Sequence, residues 1–324
     1  RERNPLQLFG AIELGIGVCV LLLPLASLLA PKLLGTWVWV GTRLLNDDFA
    51  VASVVSMFAI SGIFILIPTV LLGATFPVAV RICTPAVGRA GFGTGRVYAA
   101  NTAGAILGSL LAGFVMVPAL GGRGSLVVSG VIFVSNGLLL LRRAWGKSWS
   151  PVRDKRVMLP LAIAGGAALL ALLLPHQTVL NYYLQTNTQP EVIYHGEGVS
   201  HSVDIVRSTS GQVVMMVDGN IEADTSLVQR RHFILKGHLP VLLHEAPRDV
   251  AVVGLGLGIT LLATARNPEV QNIQVIELAP EIVSAHAYLN EVNGGVLDHP
   301  KVNLRIDDGR NFLAMTDRKF EMIT

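Results

Sequence analysis

The chain has 324 residues, of which 52% are hydrophobic and 15% charged, and its mean hydropathy of +0.57 is too high for an ordinary soluble protein. The net charge of +3 is small, and no run of Lys and Arg is interleaved with aromatic residues, so a nucleic-acid partner is not expected. Cys19 and Cys83 both lie in apolar segments and predict neither a disulfide framework nor a metal site.

The first 175 residues predict an α-helical transmembrane domain of about five spans. The spans are residues 8–30, 50–80, 97–120, 125–141 and 157–174, each a nearly continuous apolar run. Residues 32–46 contain Trp37 and Trp39 and predict a segment at the membrane interface. A lipid bilayer is therefore an expected partner, and the protein is expected to be an integral membrane protein.

Small and polar residues inside the spans predict contacts between helices. Gly104, Gly108 and Ala112 repeat every four residues, a spacing that lets helices approach closely. Asn101 in the same span is interpreted as the donor or acceptor of a helix–helix hydrogen bond. Glu13 is the only carboxylate within a span, and two interpretations stay open: a transport or proton role, or a side chain that reaches the headgroups.

Loop charges predict the orientation in the membrane. The loop after the second span carries Arg81, Arg89 and Arg96, and the loop after the fourth carries Arg142, Arg143, Lys147, Arg153, Lys155 and Arg156. The loop between the third and fourth spans has only Arg123, so the two basic loops are expected in the cytoplasm. A complete fifth span would place the rest of the chain outside, which is awkward for an enzyme that uses a cytoplasmic nucleoside. The side on which the soluble part lies stays open.

The second half of the chain predicts a linker at 176–190, a small β unit with a helix at 191–248, and a partial Rossmann-like domain at 249–324. Apolar runs at 192–194, 203–206 and 213–217 predict strands, and Asp218-Gly219 is interpreted as the end of the small β unit. Residues 226–238 predict a helix that ends at His238-Leu239-Pro240.

Residues 249–283 then form the stretch that predicts a ligand site. The apolar run 250–253 predicts a buried parallel strand, Gly254, Gly256 and Gly258 follow, 259–265 predicts a helix, and 273–276 predicts a second strand ending in Glu277. Glu277 lies 19 residues past Gly258, where an acid can accept hydrogen bonds from a ribose. The third glycine of the dinucleotide pattern would fall at Ile259, so the G-x-G-x-G pattern instead resembles that of adenosylmethionine-dependent enzymes.

The remaining elements complete an alternating pattern, which predicts an α/β fold with a parallel sheet. A helix is predicted at 280–290, a strand at 302–306, a short helix from Arg310, and a fourth strand beginning at Phe320. We interpret the chain as a fragment cut at Thr324. With a strand order of 3-2-1-4, the 250–253 strand is then expected to be largely unpaired on one side.

Several motifs together resemble the spermidine synthase (polyamine aminopropyltransferase) family. The soluble part contains VDG, HLP, VVGLGLG, VIELAP and DDGRNF, and the apolar part contains LLGATFPVAVR and YAANTAGAILGSLLAG. The combination is similar to the membrane-fused bacterial branch of that family, and the resemblance covers nearly the whole chain. It implies a location in the bacterial plasma membrane.

The resemblance implies a site for decarboxylated S-adenosylmethionine, or for S-adenosylmethionine or methylthioadenosine, as a co-substrate, with no permanently bound cofactor and no metal. Gly254, Gly256 and Gly258 match the family's glycine loop, and Glu277 matches its ribose-binding acid. Asp308, between Asp307 and Gly309, matches the acid that receives the adenine amino group. Asp308 is also interpreted as the N-cap of the following helix, and it can serve in both roles.

The amine side of the site departs from the family pattern. Glu222 stands roughly where the family carries a Gln, and His232 and Phe233 stand where it carries a Tyr-His pair, so amine recognition stays open. The family's catalytic acid follows the fourth strand and is expected beyond Thr324. Asp218 is a candidate second acid, with a turn residue as the equal alternative.

Three hypotheses follow for the whole protein. The first is a membrane-anchored transferase that moves an aminopropyl group from decarboxylated S-adenosylmethionine to a polyamine such as putrescine. The second is a non-catalytic, nucleoside-sensing membrane protein, and the third is a transporter-like membrane domain with an accessory domain. The expected partners besides lipid are a small nucleoside, a polyamine and a second copy of the chain in a homo-oligomer.

Overall fold

The computed structural model describes residues 4–44, 48–84, 90–146, 151, 154–174, 182–183 and 185–324. The chain forms two compact units, Arg1–Leu174 and Pro175–Thr324. Arg89, Lys147 and Arg153 of the predicted basic loops, and most of the first half of the predicted linker, lie outside the described residues.

The first unit is helical. Its elements are α1 (Pro5–Leu44), α2 (Phe49–Cys83), α3 (Ala90–Leu111), a π-helical turn (Ala112–Met116), α4 (Val117–Trp145) and α5 (Lys155–Leu173). Side chains cap the starts of α2 and α5. The carboxylates of Asp48 and Asp154 accept hydrogen bonds from backbone N–H groups in the first turns of these helices.

Within the described residues, four helical stretches are long and apolar enough to cross a membrane: Pro5–Leu25, Phe49–Cys83, Gly91–Trp145 and Lys155–Leu173. The third combines the predicted third and fourth spans in 55 residues, about 80 Å of helix if it were straight. Gly121 interrupts it with φ 69° and ψ 169°, a conformation open to glycine. The predicted interfacial segment is not a separate element, because α1 continues through Trp37 and Trp39 to Leu44.

Helices α1 and α4 pack closely along a glycine seam formed by Gly10, Gly17, Gly130 and Gly137. A Cβ atom added at Gly137 would lie 2.8 Å from the Gly10 carbonyl oxygen, and one added at Gly17 would lie 2.9 Å from the Gly130 carbonyl oxygen. The backbones therefore touch, which only glycine permits.

Glu13 lies within this seam and is only 6% exposed. The Asn136 side-chain amide donates a hydrogen bond of 3.0 Å to the Glu13 carboxylate, which joins α1 to α4. The prediction that Glu13 reaches the headgroups is therefore wrong in this structure, because its carboxylate is enclosed by helices.

The predicted seam on α3 is not formed among the described residues. Gly104 and Gly108 are exposed, and a Cβ atom added to either would have no described atom within 4 Å. The side chain of Asn101 is also exposed, so the helix–helix hydrogen bond predicted for it is absent from the described residues. Glycines at a seven-residue interval do form such a contact on α1 and α4, which the sequence analysis did not predict.

The second unit begins with a small antiparallel sheet of four strands in sequential order: β1 (Glu191–Glu197), β2 (Ser202–Arg207), β3 (Val213–Val217) and β4 (Asn220–Asp224). The prediction that Asp218-Gly219 ends the sheet is wrong. Both residues adopt positive φ, 50° and 80°, and form a two-residue hairpin turn that pairs Val217 with Asn220. Asp-Gly between apolar runs is a strong hairpin pattern, so β4 was predictable from the sequence.

Part of the predicted linker packs against this sheet. Tyr182 is 4% exposed and packs on Val206, Val214 and Met216, on one face of the small sheet. Among its described neighbours, Tyr183, Gln185, Asn187 and Gln189 are exposed to solvent, as expected of a linker.

Helix α6 (Leu227–Leu243) begins after Ser226, whose hydroxyl accepts from the Gln229 N–H, and it continues five residues past the predicted end at His238. Pro240 falls in its last turn, where a missing N–H removes little helix hydrogen bonding. Gly237 also holds this part of α6 against the following helix, since a Cβ there would lie 2.5 Å from the Thr260 carbonyl oxygen.

The rest of the second unit is a parallel sheet in the order β7-β6-β5-β8, which confirms the α/β class and is the order 3-2-1-4 by position along the chain. The strands are β5 (Asp249–Val253), β6 (Asn272–Glu277), β7 (Val302–Ile306) and β8 (Met322–Ile323). The helices are α7 (Ile259–Ala265), α8 (Pro280–Ala285), α9 (Asn290–Asn293) and α10 (Gly309–Met315). The predicted helix 280–290 is thus two short helices around the turn at His286–Tyr288.

The expectation that β5 is unpaired on one side is wrong. The N–H groups of Glu321 and Thr324 donate to the carbonyls of Asp249 and Ala251, and the N–H of Val253 donates to Thr324, all at 2.8–2.9 Å. Three short backbone bonds suffice to cover the edge of a five-residue strand. Val250 and Val252 are accordingly among the most buried residues of the core.

Candidate functional site

The glycine loop, residues 254–258, joins β5 to α7 at the carboxyl edge of the parallel sheet. Gly254, Gly256 and Gly258 have φ of 90°, 52° and 77°, the left-handed region that other residues rarely adopt. Leu255 and Leu257 between them are 4% and 3% exposed and anchor the loop in the core. The alternation leaves the backbone of Gly254 and Gly256 on the outer side, where a ligand can approach it closely, whereas Gly258 is buried against His286 and Asn293.

Glu277 is the last residue of β6 and holds this loop in place. It is 5% exposed, and its two carboxylate oxygens accept from the N–H groups of Leu255 at 2.7 Å and Ala279 at 2.9 Å. Each oxygen retains a second lone pair for another donor. The predicted ribose-binding acid therefore has a structural role as well, because it joins the glycine loop to the end of β6.

Asp307, Asp308 and Gly309 follow β7 and come to the same edge. The Asp307 N–H donates to the Glu277 carbonyl at 3.0 Å, and its carboxylate pairs with Arg305 at 2.8 Å. The Asp308 carboxylate accepts from the Asn311 N–H at 2.8 Å, so its predicted N-cap role is confirmed. A Cβ added at Gly309 would lie 2.5 Å from Val253, so the start of α10 approaches the end of β5.

Asp218 has the role of a turn residue. Its carboxylate accepts from the Ser202 N–H at 2.8 Å and bonds to the His201 ring at 2.9 Å. These two hydrogen bonds, that of His201 first, hold the pKa of Asp218 below its usual value. The side chain is exposed and does not line the cavity described next, so the geometry supports the turn interpretation over the catalytic one.

A cavity of about 380 Å³ opens beside the glycine loop. It is bounded by β3, β4, α6, the ends of β5 and β8, and the loop itself; its walls include Met215, Val217, Glu222, Phe233, Lys236, Val253, Thr260, Ile282 and Thr324. Glu222 and Phe233, which the sequence placed on the amine side, do line it. His232 is exposed and contacts the Phe233 ring edge-on from outside the lining, at 5.9 Å between centroids.

Lys236 and Thr260 line the cavity and were missed by the sequence analysis. Lys236 lies three residues after Phe233 on α6, a spacing that puts both side chains on one helix face. The helical periodicity of α6 therefore contained enough information to find Lys236. The position of Thr260 in the cavity wall depends on the packing of α7 against α6, and no local sequence pattern indicated it.

A second missed feature lies beneath the glycine loop. His286 is 5% exposed; its Nε2 donates to the Gly256 carbonyl at 2.9 Å, and its Nδ1 accepts from the Asn293 side-chain amide at 3.0 Å. The same amide nitrogen of Asn293 donates to the Leu257 carbonyl at 3.2 Å. Together the two side chains support the backbone of the loop from the interior.

Burial lowers the pKa of His286 below its ordinary 6.5, an effect opposed by its bond to Gly256 and by the nearby charge of Glu277. A protonated ring also loses its acceptor at Nδ1. Asn293 cannot easily turn its amide, since its oxygen already accepts from the Gly295 N–H at 3.0 Å. The neutral ring is therefore the form that fits this site.

We expect acidification to open the glycine loop. The pKa of His286 is lower in the folded protein than in the unfolded chain, where it is about 6.5. The stabilisation of the loop by the neutral ring is therefore complete above pH 6.5 and is lost as the pH falls through and below this value. Hydrogen-exchange mass spectrometry of peptides covering 254–265, from pH 7.5 to 5.5, measures this opening. His286→Gln is expected to exchange faster at pH 7.5 but with a flatter pH dependence. Equal pH dependence in both proteins would contradict burial of a neutral ring.

The fold and the site together define an α/β protein with a Rossmann-like parallel sheet and a glycine loop at its carboxyl edge. Residues 234–324 match the family described as a spermine/spermidine synthase domain. The resemblance to the spermidine synthase family drawn from the motifs is thereby confirmed for this part of the chain.

The chain is also similar to individual relatives and to a solved structure. The polyamine aminopropyltransferase of Escherichia fergusonii is 30% identical over 152 residues, 46% of this chain and 51% of the relative. That of Klebsiella pneumoniae is 29% identical over 152 residues, 46% of this chain and 52% of the relative. The chain thus spans about half the length of the curated relatives it matches. The crystal structure of spermidine synthase from Thermotoga maritima aligns over 42% of this chain and 48% of its own, with 24% identity and a TM-score of 0.39.

Proposed function

We propose that this protein is a membrane-anchored, spermidine synthase-like aminopropyltransferase, which transfers an aminopropyl group from decarboxylated S-adenosylmethionine to a polyamine such as putrescine. The observation that carries the proposal is the meeting of the glycine loop, Glu277 and the Asp307–Asp308 pair at one sheet edge, beside a cavity large enough for a small substrate. The family match of residues 234–324 supports the class of reaction.

In the proposed complex, Glu277 accepts the ribose hydroxyls and Asp308 accepts the adenine amino group. The amine nitrogen attacks the carbon next to the sulfonium, the carbon–sulfur bond breaks, and its electron pair remains on sulfur in methylthioadenosine. The proton released by the amine goes to a carboxylate, which the family resemblance implies after the fourth strand. A sulfonium is a good leaving group, so the residues named here act mainly by positioning.

The decisive experiment uses the full-length natural protein. Mass spectrometry after incubation with decarboxylated S-adenosylmethionine and putrescine is expected to show aminopropylated putrescine and methylthioadenosine. Nucleoside binding without any product would instead support the sensing hypothesis. The transport hypothesis has less support, because Glu13 is engaged by Asn136 in the contact between α1 and α4.

The proposed membrane anchor gives a testable topology. Thr209, in the exposed turn between β2 and β3, is changed to Cys after replacement of Cys19 and Cys83. If α5 crosses the bilayer, an impermeant maleimide added to intact cells is expected to label this cysteine. Arg143→Cys, at the basic end of α4, is the matched control and is expected to react only after lysis. Labelling of Thr209→Cys only after lysis would place the soluble unit inside and α5 along the interface.

A further inference from the structure

The order of the strands determines which parts of a bound nucleoside would face the cavity. In the sheet β7-β6-β5-β8, the acids proposed for adenine and ribose follow β7 and β6, while the cavity lies over β5 and β8. A nucleoside held by Asp308 and Glu277 therefore directs its sulfonium substituents toward β4 and α6. The inference drawn from this orientation of the nucleoside rests on the proposed function.

Two charged residues line the described part of that cavity, Glu222 on β4 and Lys236 on α6. The Lys236 ammonium lies 5.8 Å from the centroid of the Phe233 ring, which lines the same cavity. An aromatic face attracts a cation, so this contact holds the ammonium at the cavity wall. Glu222 belongs to the wall formed by the small sheet.

Of these two charges, Glu222 can pair with an ammonium group of the substrates of simple aminopropyl transfer, but Lys236 has no partner in them. The tail of decarboxylated S-adenosylmethionine carries an ammonium next to the sulfonium, and putrescine carries two ammonium groups. Neither molecule has an anion for Lys236, and each would bring like charge toward it. An amino-acid group, in contrast, offers a carboxylate to Lys236 and an ammonium to Glu222.

We propose that the cavity takes a substrate with an α-amino-acid group, whose carboxylate pairs with Lys236 and whose ammonium pairs with Glu222. Two molecules can supply this chemistry. One is a donor that keeps its carboxylate, S-adenosylmethionine, and the other is a diamino acid such as ornithine as the acceptor.

The bonds that change are the same in both cases. The acceptor amine forms a carbon–nitrogen bond, the carbon–sulfur bond breaks, methylthioadenosine leaves with the electron pair, and the amine proton goes to a base. With S-adenosylmethionine the transferred group is 3-amino-3-carboxypropyl. With ornithine it is aminopropyl, and the acceptor nitrogen is the side-chain amine.

Isothermal titration of the intact chain in detergent distinguishes these sources. One arm compares S-adenosylmethionine with decarboxylated S-adenosylmethionine, and the other compares ornithine with putrescine in the presence of methylthioadenosine. In one of the two arms we expect the carboxylate-bearing molecule to bind about tenfold more tightly, the size of a charge-assisted hydrogen bond. Lys236→Gln is expected to abolish this preference, whereas Lys319→Gln, an exposed lysine outside the cavity, is expected to leave it unchanged.

Methylthioadenosine, which has no charged tail, separates this inference from the proposed function. Its affinity is expected to be the same in the natural protein and in Lys236→Gln. If methylthioadenosine does not bind the natural protein, the proposed function fails and this inference falls with it. If it binds but neither carboxylate-bearing molecule is preferred, or if a preference survives Lys236→Gln, the inference alone is overturned.

Discussion

Glu277→Gln is expected to weaken methylthioadenosine binding by about 1–3 kcal/mol, the effect of losing charge-assisted hydrogen bonds. The carboxylate accepts from two backbone N–H groups, those of Leu255 and Ala279, and an amide can satisfy only one of them. The NH₂ group of the glutamine would face the other N–H. The substitution therefore removes the proposed ribose acceptor and also disturbs the glycine loop.

Isothermal titration of the intact chain measures this affinity. Glu269→Gln, an exposed acid of the same unit, removes the same charge without touching the loop and is expected to bind like the natural protein. Equal affinity in Glu277→Gln and the natural protein would remove Glu277 from the nucleoside site. Hydrogen exchange of the loop peptides then separates loss of the ribose acceptor from disturbance of the glycine loop. Only the disturbance of the loop predicts faster exchange in the absence of ligand.

Gly137→Leu is expected to destabilise the first unit by about 1–3 kcal/mol or more, because the backbones of α1 and α4 touch at this point. A Cβ atom at this position would already lie 2.8 Å from both the Gly10 carbonyl oxygen and the Leu14 nitrogen. A leucine can be accommodated only if the helices separate. That movement would also strain the hydrogen bond between Asn136 and Glu13.

Thermal unfolding in detergent, followed by tryptophan fluorescence, tests this effect selectively, since all four tryptophans lie in the first unit. Gly108→Leu is the matched control, because an added Cβ there meets no described atom within 4 Å. It is expected to leave the unfolding temperature of the monomer unchanged. A decrease for Gly108→Leu as large as for Gly137→Leu would mean that the helices pack along the α3 glycines instead.

Local sequence patterns determined most elements of the second unit. Apolar runs identified β2, β3, β5, β6 and β7, because buried strands need such residues in succession. The three loop glycines were recognisable because a chain that turns sharply after a strand needs positive φ. The acids after β6 and β7 were predictable from their positions, because parallel strands bring their carboxyl ends to one edge.

Contacts between distant residues decided the rest. The composition predicted apolar helices, but only packing showed that glycines of α1 and α4 meet, whereas Gly104 and Gly108 of α3 meet none of the described residues. The support of the glycine loop by His286 and Asn293 joins residues 30 and 36 positions apart, and no local pattern marks it. The cavity likewise combines β4, α6 and the end of β5, so the charge that Lys236 brings to it follows from tertiary structure. Sequence periodicity reports which face of an element is buried, whereas the partner of that face depends on the fold as a whole.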